Sequence, residues 1–169
     1  RLPEVVTAAD AILSKIDTRK LALHFGTNSP ASQAKEHKQM LERRDLLVDT
    51  LYRKGRALGY MELPDVIKEY PISDPKSHDL AFEKNFSELQ KWVETTSTKY
   101  MLLHVRRDRR KKRFGAAIQL LNKHIPSSEP NYWYIKKRRD LFEQLGWQHC
   151  WEYEKRWLVI AFPKSFAPF

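Results

Sequence analysis

Seven cations within eight residues, Arg106, Arg107, Arg109, Arg110, Lys111, Lys112 and Arg113 around a single Asp108, are the densest chemistry in the chain. Guanidinium and ammonium groups at that density neutralise phosphates or meet an acidic protein surface. A second basic run, Lys136, Lys137, Arg138 and Arg139, follows Tyr132, Trp133 and Tyr134, rings of the kind that stack on bases. Eight consecutive helical residues spread around the whole circumference, so only part of the 106–113 run can face any one ligand. It therefore reads first as a solvated face or a site for an acidic protein partner, and second as a nucleic-acid surface. The rings at 132–134 read as core.

Nucleophilic catalysis needs a base within hydrogen-bond reach of the nucleophile and a third group that orients the base. Gly26, Thr27 and Ser29 approximate a Gly-Thr-Ser nucleophile turn, but Asn28 intervenes and Pro30 follows. A helix C-cap followed by an N-cap accounts for the same residues. The six His, at 24, 37, 78, 104, 124 and 149, never fall four apart and never accompany a Cys pair, so zinc spacing is absent. His149 and Cys150 are adjacent, and on a strand adjacent side chains point to opposite faces, which predicts a buried structural thiol. No catalytic, metal or cofactor-binding residue is assigned, and no cofactor is expected.

The chain has 169 residues, 41% hydrophobic and 31% charged, enough for one domain with a real core. Five Gly and nine Pro argue against a turn-rich β-sandwich. A single Cys excludes an intrachain disulfide and favours a reducing compartment, the cytosol or nucleus. No apolar run approaches the ~20 residues of a membrane span, so no membrane partner is expected. The net charge of +10 permits anionic partners without choosing among them. Arg1 stands where an initiator Met would, and the helical pattern begins at once, so a segment of a longer protein is expected.

The predicted fold is all-α: antiparallel helical hairpins in a solenoid or TPR-like arrangement, closed by a small C-terminal β-hairpin. Val5, Val6, Ala9, Ile12, Leu13 and Ile16 lie at helical steps over residues 2–16. Asp17 and Thr18 cap a short helix over 19–25, with Gly26 as a left-handed C-cap. Ser29 and Pro30 start a long helix that carries Met40, Leu47, Leu51 and Leu58 on one face and ends at 60–63. Gly55 and Gly59 mark either close packing or a frayed end. Residues 64–75, with three Pro, read as a linking loop. Helical spacing resumes over 76–94, and a further helix begins at Lys99. It crosses the basic run to Phe114, Ala117, Ile118 and Leu121, as one helix or as two joined at Gly115. A turn at 125–130 precedes a helix over 131–145 capped by Gly146. Trp147, His149, Trp151 and Tyr153 then alternate, as do Leu158, Ile160 and Phe162. That pattern predicts a hairpin, with a short helix and extended tail as the alternative. Residues 146–169 form an aromatic plug anchored by Trp147, Trp151 and Trp157, and segments 1–63 and 76–145 lie on either side of the linker.

The motif Gln144-Leu145-Gly146-Trp147-Gln148-His149-Cys150, followed by Trp157-Leu158, Phe162-Pro163 and Phe169, resembles the C-terminus of the tripeptidyl peptidase II family. Leu51-Tyr52-Arg53-Lys54-Gly55-Arg56-Ala57-Leu58 resembles a second block of that family at the expected distance upstream. The resemblance implies the C-terminal helical region of a giant cytosolic subtilisin-like serine peptidase, one that releases tripeptides from the free N-termini of oligopeptides downstream of the proteasome. The implied partners are the rest of the protomer and its homo-oligomer neighbours. The catalytic triad of such an enzyme lies outside this segment, so no catalytic residue carries over. Two stretches depart from the family pattern: the 64–75 connection is shorter than expected, and the 106–113 run is dense.

Overall fold

Apolar residues spaced seven, four and seven along the longest helix decide the packing of the first half of the chain. The computed structural model describes residues 2–26, 34–124 and 131–163. Among them are nine helices and no strand: α1 (Leu2–Leu13), α2 (Thr18–Gly26), α3 (Ala34–Tyr60), α4 (Pro64–Glu69), α5 (Pro75–Gln90), α6 (Thr98–Arg110), α7 (Phe114–His124), α8 (Tyr132–Gln144) and α9 (Gln148–Ala161). They gather into two compact units, Arg1–Thr95 and Thr96–Phe169.

In the first unit α3 is the shared wall, packed against α1, α2 and α5. Met40, Leu47, Leu51 and Leu58 are all buried on it, as the heptad spacing requires. From α5, Phe82, Phe86 and Leu89 fill the space opposite, each buried ring or isobutyl group stabilising the unit by about 1.5–3 kcal/mol. Two polar bonds fix the register. The Asn85 amide Nδ2 donates to the Leu51 carbonyl at 2.9 Å, and His78 Nε2 donates to the Leu58 carbonyl at 2.9 Å. Both partners step by seven and in opposite senses, so α5 runs antiparallel to α3. Gly55 and Gly59 lie buried along the same stretch, which makes them close-packing residues and not a frayed end. An Asp10 to Lys54 ion pair joins α1 to α3.

In the second unit, α6 supplies Met101, Leu103 and Val105, α7 Ala117 and Leu121, α8 Ile135 and Leu141, and α9 Leu158 to the core. Ser97 caps α6 by accepting from the Tyr100 N–H at 3.2 Å. Asn131 caps α8 by accepting from the N–H groups of Trp133 and Tyr134 at 3.0 and 3.3 Å. Gly146 has φ +68° and closes α8 in a Schellman motif. Its N–H donates to the Glu143 carbonyl at 3.1 Å and the Trp147 N–H to the Phe142 carbonyl at 2.9 Å. The Trp147 ring stacks on Phe142 at 5.8 Å, supplying the apolar contact that goes with that turn.

Several expectations need correction. Residues 64–75 are not a bare loop, because Pro64 at the first helical position opens α4, and the Asp74 carboxylate caps α5 by accepting from Lys76 and Ser77 N–H. Gly26 is the last residue of α2 without a left-handed backbone. The stretch crossing the basic run is two helices, and the break falls at Lys112, not at Gly115, which lies inside α7. The β-hairpin at 147–163 is the helix α9. Trp147, Trp151, Glu154, Leu158 and Ala161 step by three and four as well as alternating in part, and no Gly, Asn or Pro sits between the two supposed strands to turn them. The Ser29-Pro30 helix start and the 125–130 turn lie outside the described residues.

Lys112, with φ 56°, occupies the same left-handed position at the end of α6 that Gly146 occupies at the end of α8. A side chain there costs about 1–2 kcal/mol, whereas glycine is tolerated. Gly146→Ala should therefore lower stability by about 1 kcal/mol, while Lys112→Gly should leave it unchanged or raise it by up to about 1 kcal/mol. Denaturant midpoints of the two variants check this, and a neutral Gly146→Ala contradicts it.

Candidate interaction surface

The basic run does not form one stripe. Arg106 and Asp108 are buried at 3% and 4% exposure, Arg107, Arg109 and Arg110 are half-buried, and Lys111, Lys112 and Arg113 are exposed. The reason is the turn that ends α6. The Lys112 N–H donates to the Arg109 carbonyl at 2.9 Å and the Arg113 N–H to the Asp108 carbonyl at 2.8 Å, again a Schellman pattern. Here an ion pair replaces the usual apolar contact, with Arg113 Nη2 2.5 Å from Asp108 Oδ1. Asp108 Oδ2 also lies 3.8 Å from His104 Nε2. Burial lowers the His104 pKa against the pull of Asp108, with Arg107 and Arg113 adding to the lowering. The solvated face expected of the run is thus a corner between α6 and α7.

The second basic run is mostly engaged within its own unit. Arg138 Nη2 lies 2.6 Å from Glu154 Oε1, and its Nη1 donates to Asn122 Oδ1 at 2.6 Å. Arg139 pairs with Asp140 at 2.7 Å. The Lys136 ammonium stands over the Tyr132 and Trp133 rings at 5.9 and 5.8 Å. Of the three rings read as core, Tyr134 is buried, but Trp133 is 46% exposed.

Sequence reasoning passed over Glu154, which is 3% exposed and joins α9 to α8 through Arg138. Burial raises its pKa, and the Arg138 guanidinium opposes that rise without cancelling it. The available signal was an acid one helical turn before Leu158, on the inward side of an amphipathic pattern.

The aromatic plug is a helix with most of its apolar surface outward. Glu154 and Leu158 are its buried residues, and Trp151 and Trp157 are half-buried. Trp147, Tyr153, Val159 and Ile160 are exposed at 52%, 68%, 44% and 77%. Cys150, expected to be buried, is exposed in the first turn of α9. Trp151, Lys155, Val159 and Ile160 line an open apolar groove, with the Lys155 ammonium 4.9 Å above the Trp151 ring.

Among the described residues no group of three or more His, Cys, Asp or Glu could hold a metal ion. None of the described helices is long and apolar enough to cross a membrane. Ser29 of the Gly-Thr-Ser-like turn lies outside the described residues.

Over 98% of its length the chain is similar to a part of tripeptidyl-peptidase 2, at 38% identity in Oryza sativa subsp. japonica and 36% in Arabidopsis thaliana. It spans 12% of the length of either relative. No family model matches it, and no solved structure does. The likeness read from the motifs around Leu51 and Gly146 therefore extends across nearly the whole chain.

The Arg138–Glu154 pair has a testable pH signature. An acid whose folded pKa is raised keeps a proton that the unfolded chain has lost, so its contribution to stability falls as pH rises from the ordinary carboxylate range to the raised value. Glu154→Gln should remove that fall, as denaturant midpoints across pH would show. Arg138→Met leaves the acid buried and unpaired and should cost about 3 kcal/mol near neutral pH and less in acid. A loss from Arg138→Met that grows in acid would contradict the account.

Proposed function

We propose that this chain is a non-catalytic structural and assembly segment at the C-terminal end of a tripeptidyl-peptidase 2-like enzyme. The observation that carries the reading is the match over 98% of this chain to 12% of that protein, in a chain whose quoted motifs resemble the family's C-terminus. On this reading the parent is a cytosolic, subtilisin-like serine exopeptidase that releases tripeptides from the N-termini of oligopeptides downstream of the proteasome. Its triad stands outside these residues. The partners are the rest of the protomer and neighbouring copies of it, and the antiparallel pairs α3 with α5 and α8 with α9 are building blocks of a solenoid-like region.

What the chain brings to that role is surface. A helix such as α9, with Tyr153 and Ile160 exposed at 68% and 77%, gains by being covered, since apolar area removed from water is worth about 25 cal/mol per Å².

Two measurements test the reading. The purified 169-residue chain should release no tripeptide from a chromogenic substrate, and turnover blocked by a serine-directed inhibitor would sink it. In the full-length parent, Tyr153→Glu with Ile160→Glu should shift the sedimentation profile toward smaller species. An unaltered profile removes the assembly role from α9.

A further inference from the structure

In the first unit two imidazoles meet across helices that the sequence keeps thirteen residues apart. His24, near the end of α2, brings Nε2 to 3.0 Å from Nδ1 of His37, which lies in the first turns of α3. The ring centroids are 5.3 Å apart with the planes inclined by 35°. Phe25 stands edge-on to both rings, at 5.1 Å from His24 and 6.0 Å from His37. His37 is exposed and His24 half-buried, so solvent and ions reach the pair.

Two ring nitrogens this close need something positive between them. A proton on one of them makes an ordinary hydrogen bond. A transition-metal ion serves as well: with metal–nitrogen bonds of about 2.0–2.1 Å and a tetrahedral angle, the two nitrogens stand about 3.3 Å apart. The observed 3.0 Å is within a few tenths of an ångström of that spacing, and turning both rings, of which His37 is exposed, would bring the two nitrogens to a common ion. The donor set is purely imidazole, which suits Cu²⁺ and Zn²⁺ and does not suit Mg²⁺ or Ca²⁺.

We propose that His24 and His37 form a two-ligand surface site for Cu²⁺ or Zn²⁺, its remaining positions taken by water. Such an ion ties the end of α2 to the start of α3, next to the Phe25 ring that packs on His37 and under Arg44. The site is independent of the role suggested for α9.

The test is titration of the 169-residue chain with copper, zinc and magnesium chlorides near neutral pH, followed by calorimetry and by the imidazole proton resonances. One copper or zinc ion should bind per chain, copper more tightly than zinc, magnesium not at all. The His24 and His37 resonances should be the ones that move. His24→Ala and His37→Ala should each lower zinc affinity by more than about 100-fold, beyond what loss of an outer-shell partner costs, with the helical circular dichroism unchanged. Zinc should raise the melting temperature of the native chain and leave that of the double variant where it was. Equal zinc affinity in the native chain and in His37→Ala overturns the proposal and reduces the contact to a hydrogen bond.

Discussion

Three of the four helices in the second unit meet at one guanidinium. Arg138, on α8, reaches Asn122 on α7 and Glu154 on α9, and the two bonds are made by the two Nη atoms of a planar fork. A lysine in its place would offer a single point of charge and could not hold two partners in fixed directions. The arrangement is costly to assemble, because Glu154 must leave water, and burial raises its pKa even with Arg138 beside it. Such a pair contributes little net stability but specifies which face of α9 turns inward, since any other rotation would bury a different side chain against an unpaired Arg138.

That rotation has a consequence for the aromatic residues near the C-terminus. With Glu154 and Leu158 committed to the interior, Tyr153 and Ile160 are left outside, and Trp151 and Trp157 sit at the margins. The same motifs carry the likeness to a much longer protein, of which this chain spans an eighth or so, 12%. Residues that look as if they should seal a core instead lie open on one helix.

Local chemistry was legible in the sequence and long-range chemistry was not. Asp17 announced a helix start because a short polar side chain accepts from the next turn's N–H groups, and it does so, as Ser97 and Asn131 do at the helix starts expected near 99 and 131. Gly146 announced a helix end because its left-handed backbone suits glycine. The end of α6 went unannounced, since Lys112 takes up the same conformation with no residue type to signal it, and the chain offered Gly115 as a decoy. The alternation at 147–153 was real but short, and the helical period overlapped it. Burial of Glu154 and Arg106, and the meeting of His24 with His37, depend on partners from other helices, which spacing along one helix does not reveal.

The two bonds from α5 to the α3 backbone act like the pins of a lock. Asn85 and His78 engage carbonyls two turns apart, and the block from Leu51 to Leu58 that resembles the tripeptidyl peptidase II family is the stretch they span. Sliding α5 by a single residue along α3 would disengage both pins together. The pair of helices is therefore forgiving of changes in side-chain identity on its outer faces and unforgiving of changes in length, so that inserting or deleting one residue between the pins severs a register that no later residue restores.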